Sequence, residues 1–348
     1  MGKKLSNMID LLFSIGEPVD PEDKYQDKCK SLADELCERI YPNVSIGATL
    51  AEPEQDGTKI CLTNHGEAHV ITVMSRALDL LRDNIKLTPY ETYILVKAIL
   101  IHDIGNIYGR QNHELNSQKA ANLINQKIGK DKLEIECITS IAWAHGGKPK
   151  DKISMLYDET LFNNYVHKRR LAAILKFADE LADDRSRCSD FQMKQNLLPA
   201  NAIIFHKYSF CLHSVLLSHE SNSIQMAFDL DEEDTQKSFE KNGKKVLLVD
   251  EIYERTFKTH LERLYCMRFL RPAINIDKIK VTIKIRLKNI SEYGQPEFHI
   301  ISYEIGEVGY PEESYENIFK ICPELKNETG EKLKKMLSGE SPTCCNTK

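Results

Sequence analysis

Six side chains carry most of the chemistry available to this sequence: His69, the adjacent pair His102 and Asp103, His113, His145 and Asp179, in the order H, HD, H, H, D. Neutral imidazole nitrogens and ionised carboxylate oxygens are ligands for divalent cations. Several imidazoles favour a transition ion, without choosing among Mn, Fe, Ni and Zn or excluding Mg. Taken singly, none of the six is informative. A lone histidine on an apolar helix face is more often a core residue with both nitrogens satisfied, and a histidine at a helix end usually complements the helix dipole. Asp103 makes a stronger demand, because burying an ionised carboxylate costs several kcal/mol unless a cation accompanies it.

The segments that must position these residues have helical periodicity. Between Gly66 and Arg82, Val70, Val73, Met74, Ala77, Leu78 and Leu81 recur at the spacing of a core-facing helix that His69 opens, with His65 the weaker candidate nearby. The run YETYILVKAILIHDIG is nearly all apolar and predicts a central buried helix ending at His102 and Asp103, with Gly105 as its C-cap and the pair facing an opening. His113 starts a further helix, and residues 133–144 form another that ends at His145. In RRLAAILKFADELADDRSR, Asp179 lies one turn beyond Leu175 on the edge of the apolar stripe. Its alternative role is an ordinary intrahelical pair with Lys176.

The chain changes texture along its length. Helical spacing over residues 25–196 gives way over 202–305 to β-branched and aromatic runs, so the expected fold is mainly α: a helical bundle over 1–198 and a smaller α+β module with a polar tail over 199–348. Strands are expected at 203–217, 223–230, 278–287 and 297–305, with one helix over 248–271. With 348 residues, 41% hydrophobic and 28% charged, the chain can bury a large core. A net charge of −5 gives no global field that would draw it to nucleic acid. Ten cysteines without a CxxC pair fit a reduced, cytoplasmic setting. The N-terminus MGKKLSNMIDLLFSIG reads as an amphipathic helix, and although Gly2 and Ser6 match a loose myristoylation pattern, no membrane association is expected.

The order of these residues resembles the HD superfamily of metal-dependent phosphohydrolases. NHGEAHVITV carries the first histidine, ILIHDIG the pair for which that superfamily is named, and FADELADD the last aspartate; the resemblance spans residues 63–187. His113 in HELNSQKAA and His145 in AHGG are similar to the subset that binds two metals. The resemblance implies one ion on His69, His102, Asp103 and Asp179, and a second on His113 and His145 with Asp103 as the bridge. Asp103 and His102 are then the catalytic pair. Unlike the cyclic-dinucleotide phosphodiesterases of that subset, the chain has Asn106 after HDIG and no GYP triplet near its later histidines; Gly309, Tyr310 and Pro311 spell one far outside the region. The flanking sequences look more like a bacterial group found with ATPases in stress systems, which implies an ATPase partner protein.

Two ions roughly 3.5–4 Å apart can activate a shared water and clamp both oxygens of an in-line displacement at phosphorus. The expected activity is therefore hydrolysis of a phosphoester or phosphoanhydride in a nucleotide, falling off below about pH 6 as histidine ligands protonate. Arg185, Arg187 and Lys148 are the candidates for phosphate contact, Arg185 because a guanidinium fork suits phosphate, although both arginines could simply neutralise Asp183 and Asp184. Two other functions fit the same ligands: a nuclease acting on single-stranded DNA or RNA, and a catalytically silent regulatory module that keeps metal for stability. The α+β module could complete the pocket, sense a ligand or form a homo-oligomer. His206, His213, His219 and His260 are read as structural or surface residues.

Overall fold

The computed structural model describes residues 2–44, 63–82, 84–110, 112–122, 124–148, 150–290, 295–307 and 318–338. Its fold is mainly α with a smaller α+β part. Two compact units form: Met1–Ser189 with Glu262–Asn275, and Asp190–Leu261 with Ile276–Lys348.

The first unit is a helical bundle. Helices α1 (Gly2–Ile15) and α2 (Tyr25–Arg39) bury one stripe each, Leu5, Ile9, Leu12 and Phe13 on the first and Cys29, Leu32, Ala33 and Leu36 on the second. α3 (Glu67–Leu81) buries the stripe that its sequence predicts, including Val70, Val73, Met74, Ala77, Leu78 and Leu81. At the centre is α4 (Pro89–Ile101), where every residue from Tyr90 to Ile101 is buried. It starts cleanly: Thr88 and Glu91 form a capping box around Pro89, whose missing N–H costs nothing in the first turn. Each of its leucines and isoleucines contributes about 1.5–3 kcal/mol by leaving water. The one long cation in this helix is neutralised locally. Lys97 Nζ donates to the Tyr93 hydroxyl (2.9 Å) and to the carbonyls of Lys127 and Ile128 (2.7 Å each), and burial lowers its pKa to about 8.

Helices α5 (His113–Asn122), α6 (Asn125–Ile128), α7 (Lys132–Trp143) and α8 (Lys168–Glu180) complete the bundle. A short hairpin, β1 (Glu159–Leu161) and β2 (Asn164–Val166), precedes α8 and turns through Phe162 and Asn163, both at positive φ. That hairpin is absent from the expectations above, because Phe-Asn is not the turn pair that positive φ usually selects.

The second unit holds the helices α9 (Asp190–Lys194), α10 (Ala200–Cys211) and α11 (Glu232–Gln236), and most of α12 (Leu248–Leu270), which enters the first unit at Glu262. Its sheet has the order β3 (Leu212–Ser218), β4 (Ser223–Asp231), β7 (Lys278–Ile290), β8 (Pro296–Gly306). The outer pairs are antiparallel and β4 runs parallel to β7. A parallel neighbour requires a long connection, which here contains the hairpin β5 (Ser238–Lys241) with β6 (Lys244–Leu247) and the helix α12. Along β7, Ile279, Val281, Ile283 and Ile285 are buried and Thr282, Lys284 and Arg286 exposed, so one face of the sheet is core. Two short helices, α13 (Ile318–Ile321) and α14 (Gly330–Leu337), follow.

One expected strand is mostly a helix. Residues 203–211, read as strand from Ile203, Ile204, Phe205, Tyr208 and Phe210, belong to α10, and only Leu212–Ser218 is extended. Contacts at several positions around the helix bury β-branched and aromatic side chains that strand propensity would favour; tertiary packing decides here. Among the described residues no helix is long and apolar enough to cross a membrane. The GYP triplet and the vicinal Cys344 and Cys345 lie outside the described residues.

Candidate metal centre

All six predicted ligands converge in the first unit, and every one presents its reacting atom to the same small volume. They form two groups, His69, His102, Asp103 and Asp179, and Asp103, His113 and His145, each with its ligand atoms within 4.8 Å of one another. Asp103 belongs to both. Its Oδ2 lies 3.5 Å from His69 Nε2 and 3.4 Å from His102 Nε2, while its Oδ1 lies 3.3 Å from His113 Nε2 and 3.6 Å from His145 Nε2. Asp179 Oδ1 closes the first group at 3.1 Å from His69 Nε2 and 3.8 Å from His102 Nε2.

Helix ends explain the convergence. His102 caps α4 and His145 follows α7 by two residues, and each turns Nδ1 back onto a carbonyl in the last turn of its own helix, Ile99 at 2.7 Å and Ala142 at 2.5 Å. Those bonds keep a ring proton on Nδ1 and turn Nε2 toward the site. Both helices also point their negative dipole ends at the site, which favours cations. His69 sits in the first turn of α3 and Asp179 in the last turn of α8.

Gly105 has a different role from the expected C-cap. It lies in the 3₁₀ turn Ile104–Tyr108, and a Cβ there would stand 1.9 Å from the His113 carbonyl oxygen and 2.2 Å from the Ser117 nitrogen. Glycine lets α5 approach the HD turn closely. Ser117 closes that contact: its hydroxyl accepts from Gly105 N–H (2.9 Å) and lies within donating distance of the carbonyls of His102 (2.8 Å) and His113 (3.0 Å). Nor does the pair face an opening, since His102 and Asp103 are both buried; the more exposed ligand is Asp179, with 24% of its side chain accessible.

The electrostatics are those of a site built around positive charge. Burial would raise the pKa of Asp103, but His102, with hydrogen bonds from His102, His113 and His145, overrides it and holds the carboxyl well below its ordinary value. Asp179 behaves likewise: burial raises it, and His69 and His102 pull it well below. His69 is lowered by burial and by the Arg187 guanidinium, and His145 chiefly by burial. His102 alone is raised, to about 9: burial opposes the shift and the Asp103 carboxylate outweighs it. The donor set fits divalent ions. The Nε2 atoms of His69 and His102 face each other at 3.4 Å, and those of His113 and His145 at 3.3 Å, arrangements that need a shared proton or a cation between them.

Several residues around the ligands carry no local signal in the sequence. Asn106 is fully buried and donates its amide to the Asp103 carbonyl (3.0 Å). Lys176, the alternative partner for Asp179, instead donates to the His145 carbonyl (3.0 Å) and pairs with Glu262 (3.1 Å). Glu114 and Lys152 form a buried pair beside His113. Only chain topology brings these partners together, from up to 86 positions apart in sequence.

The three candidate phosphate contacts separate. Arg187 donates to Asn64 O (3.3 Å) and His65 Nε2 (2.6 Å) and lies 3.8 Å from Asp183, so it ties the segment before α3 to the turn after α8. Arg185 and Lys148 are exposed. His65 is buried, with Nδ1 on the Thr63 carbonyl and Nε2 on Arg187, and it stands outside both ligand groups. Of the four later histidines, His206 and His260 are buried and His213 lies 3.6 Å from Asp229.

A family model described as HD-CE matches residues 59–261, which span all six ligands. No curated protein and no solved structure matches the chain.

Proposed function

The chain belongs to the HD-CE family, and from that premise we propose that it is a metal-dependent hydrolase of phosphoester or phosphoanhydride bonds, with a nucleotide as substrate and the six residues as a dinuclear centre. The observation that carries the reading is the division of one carboxylate: Asp103 turns Oδ2 to one set of imidazoles and Oδ1 to the other.

Two divalent ions held there would supply Lewis-acid stabilisation of phosphoryl oxygens and a water of lowered pKa. The protein's own part is to keep the donors bare and fixed. The carbonyls of Ile99 and Ala142 hold the Nδ1 protons of His102 and His145, so neither ring needs to rotate to present Nε2 to its group. Asp103 bridges and is not asked to transfer a proton. Asp179 offers the solvent-facing edge of the first group, the side from which a phosphate would approach. Arg185 and Lys148 are assigned to phosphate contact on their exposure, and Arg187 is assigned to holding His65 and Asn64.

The test is phosphate or nucleotide release from a panel of mononucleotides, cyclic dinucleotides and single-stranded DNA and RNA with Mn, Ni, Co or Mg, comparing the wild type with Asp103→Ala. Turnover of a small nucleotide that vanishes in the variant supports the proposal. Cleavage of polymers alone replaces it with a nuclease. Stoichiometric metal without turnover of any substrate replaces it with a silent regulatory module.

A further inference from the structure

Lys152 and Glu114 form an ion pair, Nζ to Oε1 3.3 Å, with 1% and 4% of their side chains exposed. A pair so buried is poor evidence of added stability, because desolvation offsets its attraction and apolar replacements are often neutral or better. The other carboxylate oxygen indicates what the pair does. Glu114 Oε2 lies 3.4 Å from Nδ1 of His113, the ring whose Nε2 faces Asp103 and His145 at 3.3 Å each.

His102 and His145 orient themselves on carbonyls in the last turns of their helices. His113 stands at the start of α5, where the unsatisfied backbone groups are N–H donors, so no helix carbonyl is on hand for its Nδ1–H. Glu114 places a carboxylate oxygen at ion-pair distance from it, 3.4 Å. Two features hold that carboxylate in place. Lys152 is itself fixed by the Trp143 carbonyl (3.4 Å) and by the indole ring, 4.4 Å from Nζ to the centroid. Gly147, at φ +73°, leaves the space that the carboxylate fills, since a Cβ there would stand 1.7 Å from Glu114 Oε1.

We infer that Glu114, held by Lys152 and accommodated by Gly147, is the positioning residue of the second metal site: it fixes His113 as the Nδ1–H tautomer and so presents Nε2 to the ion shared with His145 and Asp103. The inference rests on the proposed reading of the two groups as metal sites. It assigns Glu114 no contact with substrate and no share in the first group.

The experiment is calorimetric titration of the metal-free full chain with Mn(II), with electron paramagnetic resonance of the loaded protein. Wild type takes up two equivalents and shows a spin-coupled pair. Glu114→Ala keeps the first ion and weakens the second roughly 10–100-fold, so the coupled spectrum gives way to that of isolated ions. Glu114→Gln, whose amide oxygen can face Nδ1–H from the same place, restores much of the coupling. Gly147→Ala displaces the carboxylate without removing a charge and reproduces the Ala effect. The inference is overturned if Glu114→Ala binds both ions as wild type does, if both ions weaken equally, or if wild type takes up a single ion. Two-ion loading with the Glu114→Ala effect intact but no phosphoester turnover would remove the proposed activity and leave this inference standing.

Discussion

Metal uptake should release a proton, and the structure says from where. In the metal-free chain His102 is held protonated, its pKa raised to about 9 by Asp103 against the opposing effect of burial, whereas His69 and His145 are pushed below the ordinary imidazole value. An ion entering the first group must displace the His102 proton. At pH 7.5 that competition weakens apparent affinity about 30-fold relative to the limit above pH 9, at tenfold per pH unit. Between pH 6.5 and 8.5 the apparent Kd for the first ion should therefore tighten roughly 80-fold. Calorimetry with Ni(II) or Co(II) at pH 7.5, in buffers of different ionisation enthalpy, should give about one proton released by His102 on binding of the first ion. Affinity that is flat over that range, or binding with no proton released, would refute the assignment of His102 as the charged member of the metal-free site.

The same shifts set the pH dependence of metal-free stability. The raised His102 pKa contributes stability that is full below its ordinary value of 6.5 and lost as pH rises through about 9, and the depressed Asp103 and Asp179 contribute stability present above 3.8 and lost as pH falls. Melting temperature of the chelated protein should thus decline from pH 6.5 toward pH 9, a trend that metal abolishes. Gly105→Ala brings a Cβ to 1.9 Å from the backbone of α5, where real contacts stay beyond 3.0 Å, so α5 must retreat by about 1.1 Å and take His113 with it. Overpacking of this kind costs about 1–3 kcal/mol, and calorimetry should show the second ion weakened more than the first. Lys97→Met strands the buried Ile128 carbonyl and should lower stability by about 1–3 kcal/mol in urea unfolding, without changing metal stoichiometry.

What was legible in the sequence follows from what is local. Helices α3, α4, α7 and α8 repeat their apolar stripes within a few turns, and the ligands sit at the ends or edges of those stripes, so both their presence and their inward placement could be read. β4, β7 and β8 alternate over most of their length and fall within three residues of expectation. α10 did not read correctly because its bulky residues fit a pleated surface as well as a helix, and only packing decides. The supports of the site were illegible for another reason. Ser117, Glu114, Lys152 and Lys176 are ordinary residue types with partners remote in sequence, and no spacing rule links 114 to 152 or 176 to 262. The role of Gly105 was misread because a glycine after a helix suggests a left-handed cap, whereas here it permits a close crossing of two backbones.

The burial of α4 also sets a clock. Amides in a helix covered on all sides exchange with solvent only when the surrounding unit opens as a whole, so the HD turn at its end belongs to the slowest-exchanging part of the bundle. An ion cannot leave by fraying of that helix. Departure and replacement would run through side chains that can move while the bundle stays closed, and Asp179, on the last turn of α8 with a quarter of its side chain in water, is the most accessible of them. For an ion held by the first group, residence time would then follow the rotation of one carboxylate, on a timescale decoupled from unfolding.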